Sequence, residues 1–295
     1  MRLDNFDPDD VNIEDQRGGG GGMGLPGVGG GLGLGVLLLA AGAWALGFDP
    51  MTVLNLAGGE QARVEAPAGD APARSGKDAA SSCTIDQASR ESCNALSSLN
   101  KTWRQLFAAG GKDFAKPKLV FYSSRGSSGC GAAQSAMGPF YCPADRGIYL
   151  DTDFYREMDQ KLGASGSFAR DYVIAHEYGH HVQNLRGVSA KVSAAERANP
   201  DAANRYSVML ELQADCYAGV WAAKNRDRME AGDMESGLNA AHQIGDDVLM
   251  KNAGRTPNEA AFTHGSAAQR MQWLRRGMET GDPGKCNTFR EMGGM

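Results

Sequence analysis

The chain has 295 residues, a formal net charge of -5 and a composition that is 42% hydrophobic and 22% charged. That length admits one or two domains, and without a block of Lys or Arg there is no electrostatic footprint for a nucleic-acid backbone. Its 40 glycines exceed an average domain's share and crowd into the first fifty residues, so the excess belongs to one end of the chain.

Residues 1–22 are acidic and then glycine-rich, ending in the run Gly18 to Gly22. Such a segment buries too little apolar surface to offset chain entropy and is predicted to be disordered. Residues 23–48 hold no charge and are dense in Leu, Val and Ala from Leu32 to Leu46. A helix of roughly 20 apolar residues spans a bilayer, so this stretch is predicted as a single transmembrane helix. A cleavable signal peptide is the competing reading, but it would start with a short basic region, and here an acidic one precedes the apolar run. Residues 49–82 form a predicted stalk, with Ala, Gly, Pro and scattered charges from Gly58 to Ser82.

All six cysteines, Cys83, Cys93, Cys130, Cys142, Cys216 and Cys286, follow the apolar stretch. An even number there suits an oxidising compartment and places the domain over 83–295 outside the cytoplasm. Sequence does not fix the connectivity. Short closures favour Cys83 with Cys93 and Cys130 with Cys142, leaving Cys216 with Cys286; a second zinc site is weak without a CxxC pair.

Within 83–295, a helix is predicted over Asp86–Ala109, then strands over Lys118–Tyr122 and Gly147–Asp151 joined by a Gly- and Ser-rich loop, Ser123–Pro143. Two short strands with a disulfide-tied connection suggest a small antiparallel sheet. The loop and the second strand are expected to border a cleft. Phe168, Tyr172, Ala175, Gly179 and Val182 recur at helical spacing, with Ser167 as N-cap and Gly187 just past the end. Further helices are expected from Asn199-Pro200 to Lys224, from Asp233 to Met250 and from Ser266 to Glu279.

The first of these four helices holds His176-Glu177-Tyr178-Gly179-His180. Positions four apart share a helix face, so both imidazoles can meet one ion while Glu177 stands beside it, placed to take a proton from water. Catalytic zinc commonly takes three protein ligands. The metzincin pattern is excluded, because Gln183 and Arg186 stand where it needs Gly and His. On the next helix, Glu211 and Asp215 share a face, Glu211 as third ligand and Asp215 as hydrogen-bond partner of a ligand histidine. Tyr178 lies on another face, so His264 is the better oxyanion donor. His181 and His242 are assigned packing roles.

The strings Val173 to Glu177, Gly179 to Gln183, Glu211 to Ala218, Gly138 to Pro143, Phe262 to Gly265 and Gly245 to Asp247 resemble the bacterial putative neutral zinc metallopeptidase family. That resemblance implies an α+β, mainly helical zincin-like domain, one Zn2+ ion and anchorage in the bacterial cell membrane. More distantly, Glu211, Asp215, His264 and Arg270 are similar to positions in the zinc proteases that process prenylated proteins. This likeness implies that His264 aids the transition state and that Arg270 steadies the metal-binding helices. Together these readings predict a single-pass, extracytoplasmic zinc metallopeptidase acting on a peptide or protein. Its rivals are a zinc-holding scaffold without turnover and a hydrolase of a non-peptide amide, and Glu177 argues against the first.

Overall fold

The computed structural model describes residues 1–17, 79–161 and 166–293. Gly18 to Gly22, the predicted span over 23–48 and most of the predicted stalk lie outside the described residues. Among the described residues no helix is long and apolar enough to cross a membrane.

The molecule is mainly helical with two small sheets. Strand β1 (Ile13–Asp15) is followed by a short helix α1 (Ala79–Ser82) and the long α2 (Gln87–Ala109). Asp86 caps α2 by accepting from the Ser89 amide, and Leu96, Leu99, Trp103 and Phe107 line its buried face at helical spacing. Strands β2 (Lys118–Tyr122), β3 (Arg125–Ser128), β4 (Gly131–Gln134), β5 (Phe140–Cys142) and β6 (Gly147–Asp151) come next. The remainder is helical: α3 (Phe154–Lys161), α4 (Ser167–Leu185), α5 (Val188–Ala198), α6 (Ala203–Lys224), α7 (Asp233–Gln243), α8 (Asp246–Asn252), α9 (Ala267–Thr280) and α10 (Thr288–Glu291).

The sheet departs from expectation. Its order is β1-β2-β6-β5, and β2 pairs with β6 in parallel, Val120 opposite Tyr149. Parallel neighbours need a long crossover, and the connection from Ser123 to Arg146 supplies one by folding its own hairpin, β3-β4, and then β5. Only β5 runs antiparallel to β6. Every residue of β6 is buried between β2 and β5, so β6 borders no cleft, and the outer strand on that side is β5.

Disorder over 1–22 does not hold for residues 1–17. Strand β1 pairs in parallel with β2, Ile13 opposite Leu119. Met1, Val11 and Ile13 are buried in the main core, and the charged residues after Ile13 find partners: Glu14 with Lys118, Asp15 with Arg17. The segment cannot fold alone; the β2 edge and the side of α2 supply the surface it lacks. Arg17 Nη2 also donates to the Ser82 carbonyl at 3.1 Å, so the described segments ending at Arg17 and beginning at Ala79 meet there.

Other differences are local. Ser167 is the first residue of α4, after Gly166 at the cap, and its hydroxyl accepts from the Met1 amine instead of capping. The helix predicted over Asp233–Met250 breaks at Gly245, whose backbone is extended because it presses on Ala267. Helices α3 and α5 were not foreseen. The disulfides are Cys83–Cys93, Cys130–Cys142 and Cys216–Cys286, the pairing that short closures favour.

Helices α4 and α6 are buried almost all round and form the centre of the helical layer, α4 between α2 and α6, and α6 between α4 and α9. Two contacts without room for a side chain set their approach. A Cβ on Gly179 would meet the Ala214 Cα and carbonyl oxygen at 2.9 Å. On the other side of α6, Gly219 and Gly277 meet backbone to backbone, bringing α9 against α6.

Candidate metal centre

The Gly179–Ala214 contact explains the site. His176 and His180 lie three before and one after Gly179; Glu211 and Asp215 stand in the same relation to Ala214. Where the two small residues touch, these four side chains must face one another. One ligand atom from each of His176, His180 and Glu211 lies within 4.8 Å of the others. Glu211 reaches both imidazoles, Oε2 at 3.1 Å from His176 Nε2 and Oε1 at 3.3 Å from His180 Nε2.

These residues fit a zinc ion. Two imidazoles and a carboxylate are a common catalytic donor set. The electrostatics also call for a cation. Burial works against charge on both imidazoles, yet Asp215 and Glu211 raise the His176 pKa to about 10, and Glu211 raises that of His180. The Glu211 carboxyl is held well below its usual range, against its burial, by the two histidines. A cluster that favours protons this strongly also favours a metal ion in their place.

Asp215 is hydrogen-bonded to His176. Its Oδ1 accepts from His176 Nδ1 at 2.8 Å and from Tyr172 Oη at 2.6 Å. Arg270, only 2% exposed, clamps the same carboxylate, Nε to Oδ2 at 2.9 Å and Nη2 to Oδ1 at 3.0 Å. Burial opposes the Asp215 charge, but Arg270 and then His176 hold its pKa down to about 2. Arg270 thus joins α9 to both helices of the site, reaching its place because Gly219 and Gly277 let α9 approach.

Glu177 is buried beside the cluster and, among the described residues, its side chain makes no hydrogen bond or ion pair. Burial raises its pKa, partly countered by the charges of His176 and His180. His264 is half exposed, and its Nδ1 lies 3.2 Å from Asp246 Oδ1. The other Asp246 oxygen accepts the backbone amides of Thr263, His264 and Gly265, so one carboxylate shapes the whole turn. Desolvation lowers the His264 pKa, but Asp246 and Glu211 outweigh it and the net shift is upward.

Tyr178 faces away and donates to Asn100 Oδ1 at 2.8 Å, which removes it as an oxyanion donor. His181 is buried, bonded to the Ala115 carbonyl and Tyr141, a packing residue as expected. His242 ends α7 and has no part in the cluster. Sequence reasoning missed Tyr172 and Asp246 as supports. Tyr172 stands one turn before His176 and could have been found on that ground; Asp246 begins α8 while His264 lies in the turn before α9, so no spacing rule pointed to it.

No solved structure matches the chain. Among curated proteins it is similar to the uncharacterized protein YpfJ of Escherichia coli (strain K12), 48% identical over 207 residues, or 69% of this chain and 72% of the relative. It is also similar to the uncharacterized protein Rv2575 of Mycobacterium tuberculosis (strain ATCC 25618 / H37Rv), 43% identical over 206 residues, or 65% of this chain and 67% of the relative. The profile of the family described as "Putative neutral zinc metallopeptidase" matches residues 2–289, from before β1 to the last helix. A match of that extent, enclosing the two converging helices and the strand that joins the sheet from the N-terminus, means that the chain belongs to this zinc metallopeptidase family.

Proposed function

We propose that the protein is a zinc-dependent peptidase in which Glu177 is the general base. The observation that carries this reading is Glu177 itself, a buried carboxylate next to the donor cluster with no partner among the described residues. A scaffold holding a metal for structure has no need of a carboxylate beside the ion, whereas activation of a water requires one there.

His176, His180 and Glu211 would hold the ion, which when bound would supply Lewis acidity toward water and the scissile carbonyl. Glu177 accepts the proton of the attacking water and returns it to the leaving amine, and its raised pKa brings it nearer neutrality, where a base of this kind works best. His264, charged through Asp246, donates to the developing oxyanion from Nε2; comparable donors contribute about 3–4 kcal/mol. Asp215 and Arg270 keep His176 in register. The outer edge of β5, which packs on α4, can take an extended peptide by strand addition.

Three disulfides support an extracytoplasmic domain. The apolar stretch 23–48 attaches it to the bacterial cell membrane without carrying residues 1–17 across, since these belong to the sheet.

The test compares wild type with Glu177→Gln on an unbiased peptide library, with zinc measured in both. Both should hold one zinc per chain, and the variant should lose at least ~10²-fold in cleavage rate. If both hold zinc and neither cleaves, the scaffold reading replaces this one; cleavage by the glutamine variant would show that Glu177 is not the base.

A further inference from the structure

Of the two imidazoles, only His176 turns its Nδ1 to a carboxylate. His180 turns its Nδ1 to the side chain of Gln183, whose Oε1 is 2.8 Å away. Gln183 is fully buried, one turn further along α4, and both ends of its amide are engaged. Its Nε2 lies 2.6 Å from the Leu210 carbonyl oxygen and 3.2 Å from Gln213 Oε1. Gln213, on α6, directs its own Nε2 to the Cys286 carbonyl at 2.8 Å. Cys286 is bonded covalently to Cys216, one turn beyond Gln213 on the same helix.

The polarity of this chain is determined. A carbonyl oxygen only accepts, so the Leu210 and Cys286 carbonyls require both glutamines to present NH2 to them. Gln183 then presents oxygen to His180, and an oxygen can only receive the Nδ1 proton. His180 is thereby held in the tautomer whose Nε2 lone pair faces Glu211, the form a metal requires.

We propose that Gln183 and Gln213 are positioning residues for His180, an amide relay that fixes its tautomer and ring plane from the Cys286 carbonyl. It rests on the metal reading above and does for the second histidine what Asp215 does for the first, with a neutral partner where a second buried carboxylate would have only Arg270 to balance both. Gln183 stands where metzincins have a glycine, so the position that excludes that pattern has a use of its own.

The experiment measures zinc affinity by competition with a chelator, in full-length wild type, Gln183→Leu and Gln213→Leu, alongside thermal unfolding. Loss of a residue that orients a ligand histidine weakens zinc about 10–100-fold. That loss is expected for Gln183→Leu and, in smaller measure, for Gln213→Leu. In the zinc-loaded wild type the His180 Nδ1 proton should resist solvent exchange in NMR spectra, and in Gln183→Leu it should exchange freely. Should Gln183→Leu fail to fold, Gln213→Leu decides by the same readouts. Zinc affinities within twofold of wild type, or an unprotected Nδ1 proton in wild type, overturn the relay while leaving the metal site standing; a wild type that binds no zinc overturns the metal site itself.

Discussion

Replacing Asp215 by Ala removes the acceptor at the centre of the buried network and leaves the Arg270 guanidinium, Tyr172 hydroxyl and His176 Nδ1 facing a void. Breaking a buried ion pair from one side costs about 3–5 kcal/mol, because the remaining charge cannot regain its solvation. Titration gives a second figure of the same order: a carboxyl moved from 3.8 to about 2 by Arg270 and His176, against its burial, corresponds to roughly 2–3 kcal/mol. Because the folded pKa is the lower one, that share is present above pH 3.8 and is lost as the pH falls toward 2. For a domain of this size ~1 kcal/mol corresponds to about 2–4 °C, so the Asp215→Ala midpoint should fall by about 6–20 °C. The assay is thermal unfolding at pH 7 with disulfides intact and EDTA present, so that metal binding does not contribute. A double variant, Asp215→Ala with Arg270→Met, should recover part of the loss, since the orphaned cation is gone. A midpoint shift under about 3 °C for the single change, or no recovery in the double, would refute the reasoning.

Two further outcomes follow from features outside the ligand set. Burial pushes the His181 pKa from 6.5 to about 4, so the unfolded chain binds a proton that the folded one refuses. Stability should therefore be full above pH 6.5 and decline by up to ~3 kcal/mol toward pH 4, with His181→Gln flattening that slope; equal slopes would show that His181 is not the cause. Single-cysteine labels near residue 4 and near residue 290, tested in intact cells with a membrane-impermeant reagent, should react on the same side of the membrane. Labelling on opposite sides would mean that β1 is not in the sheet of the membrane-attached protein.

The ligand histidines and Glu177 were legible because four-residue spacing on a helix is a local rule. Glu211 and Asp215 needed only the same rule on a second helix, plus the requirement of zinc chemistry for a third donor. His264 was singled out because Tyr178 lies on another face of its helix, with resemblance adding to it, and the structure adds why it sits as it does, the Asp246 carboxylate gathering three backbone amides around it. The parallel pairing of β2 with β6 was not legible, because strand periodicity records which face is buried and is silent on direction. The single helix expected over 233–250 failed at one glycine, whose need to press against Ala267 exists only in the assembled fold.

Sequence alone pointed to the residues proposed for the chemistry, to the boundaries of the longest helices and, through short closures, to Cys83–Cys93 and Cys130–Cys142, since all of these depend on neighbours within a few turns or a short loop. Only the tertiary structure decided that residues 1–17 form a strand, that Gln183 and Gln213 serve His180, and that Arg270 reaches Asp215. Each of those depends on a surface or a backbone carbonyl contributed by a distant part of the chain, and a segment has no record of what it will be packed against until the fold supplies it.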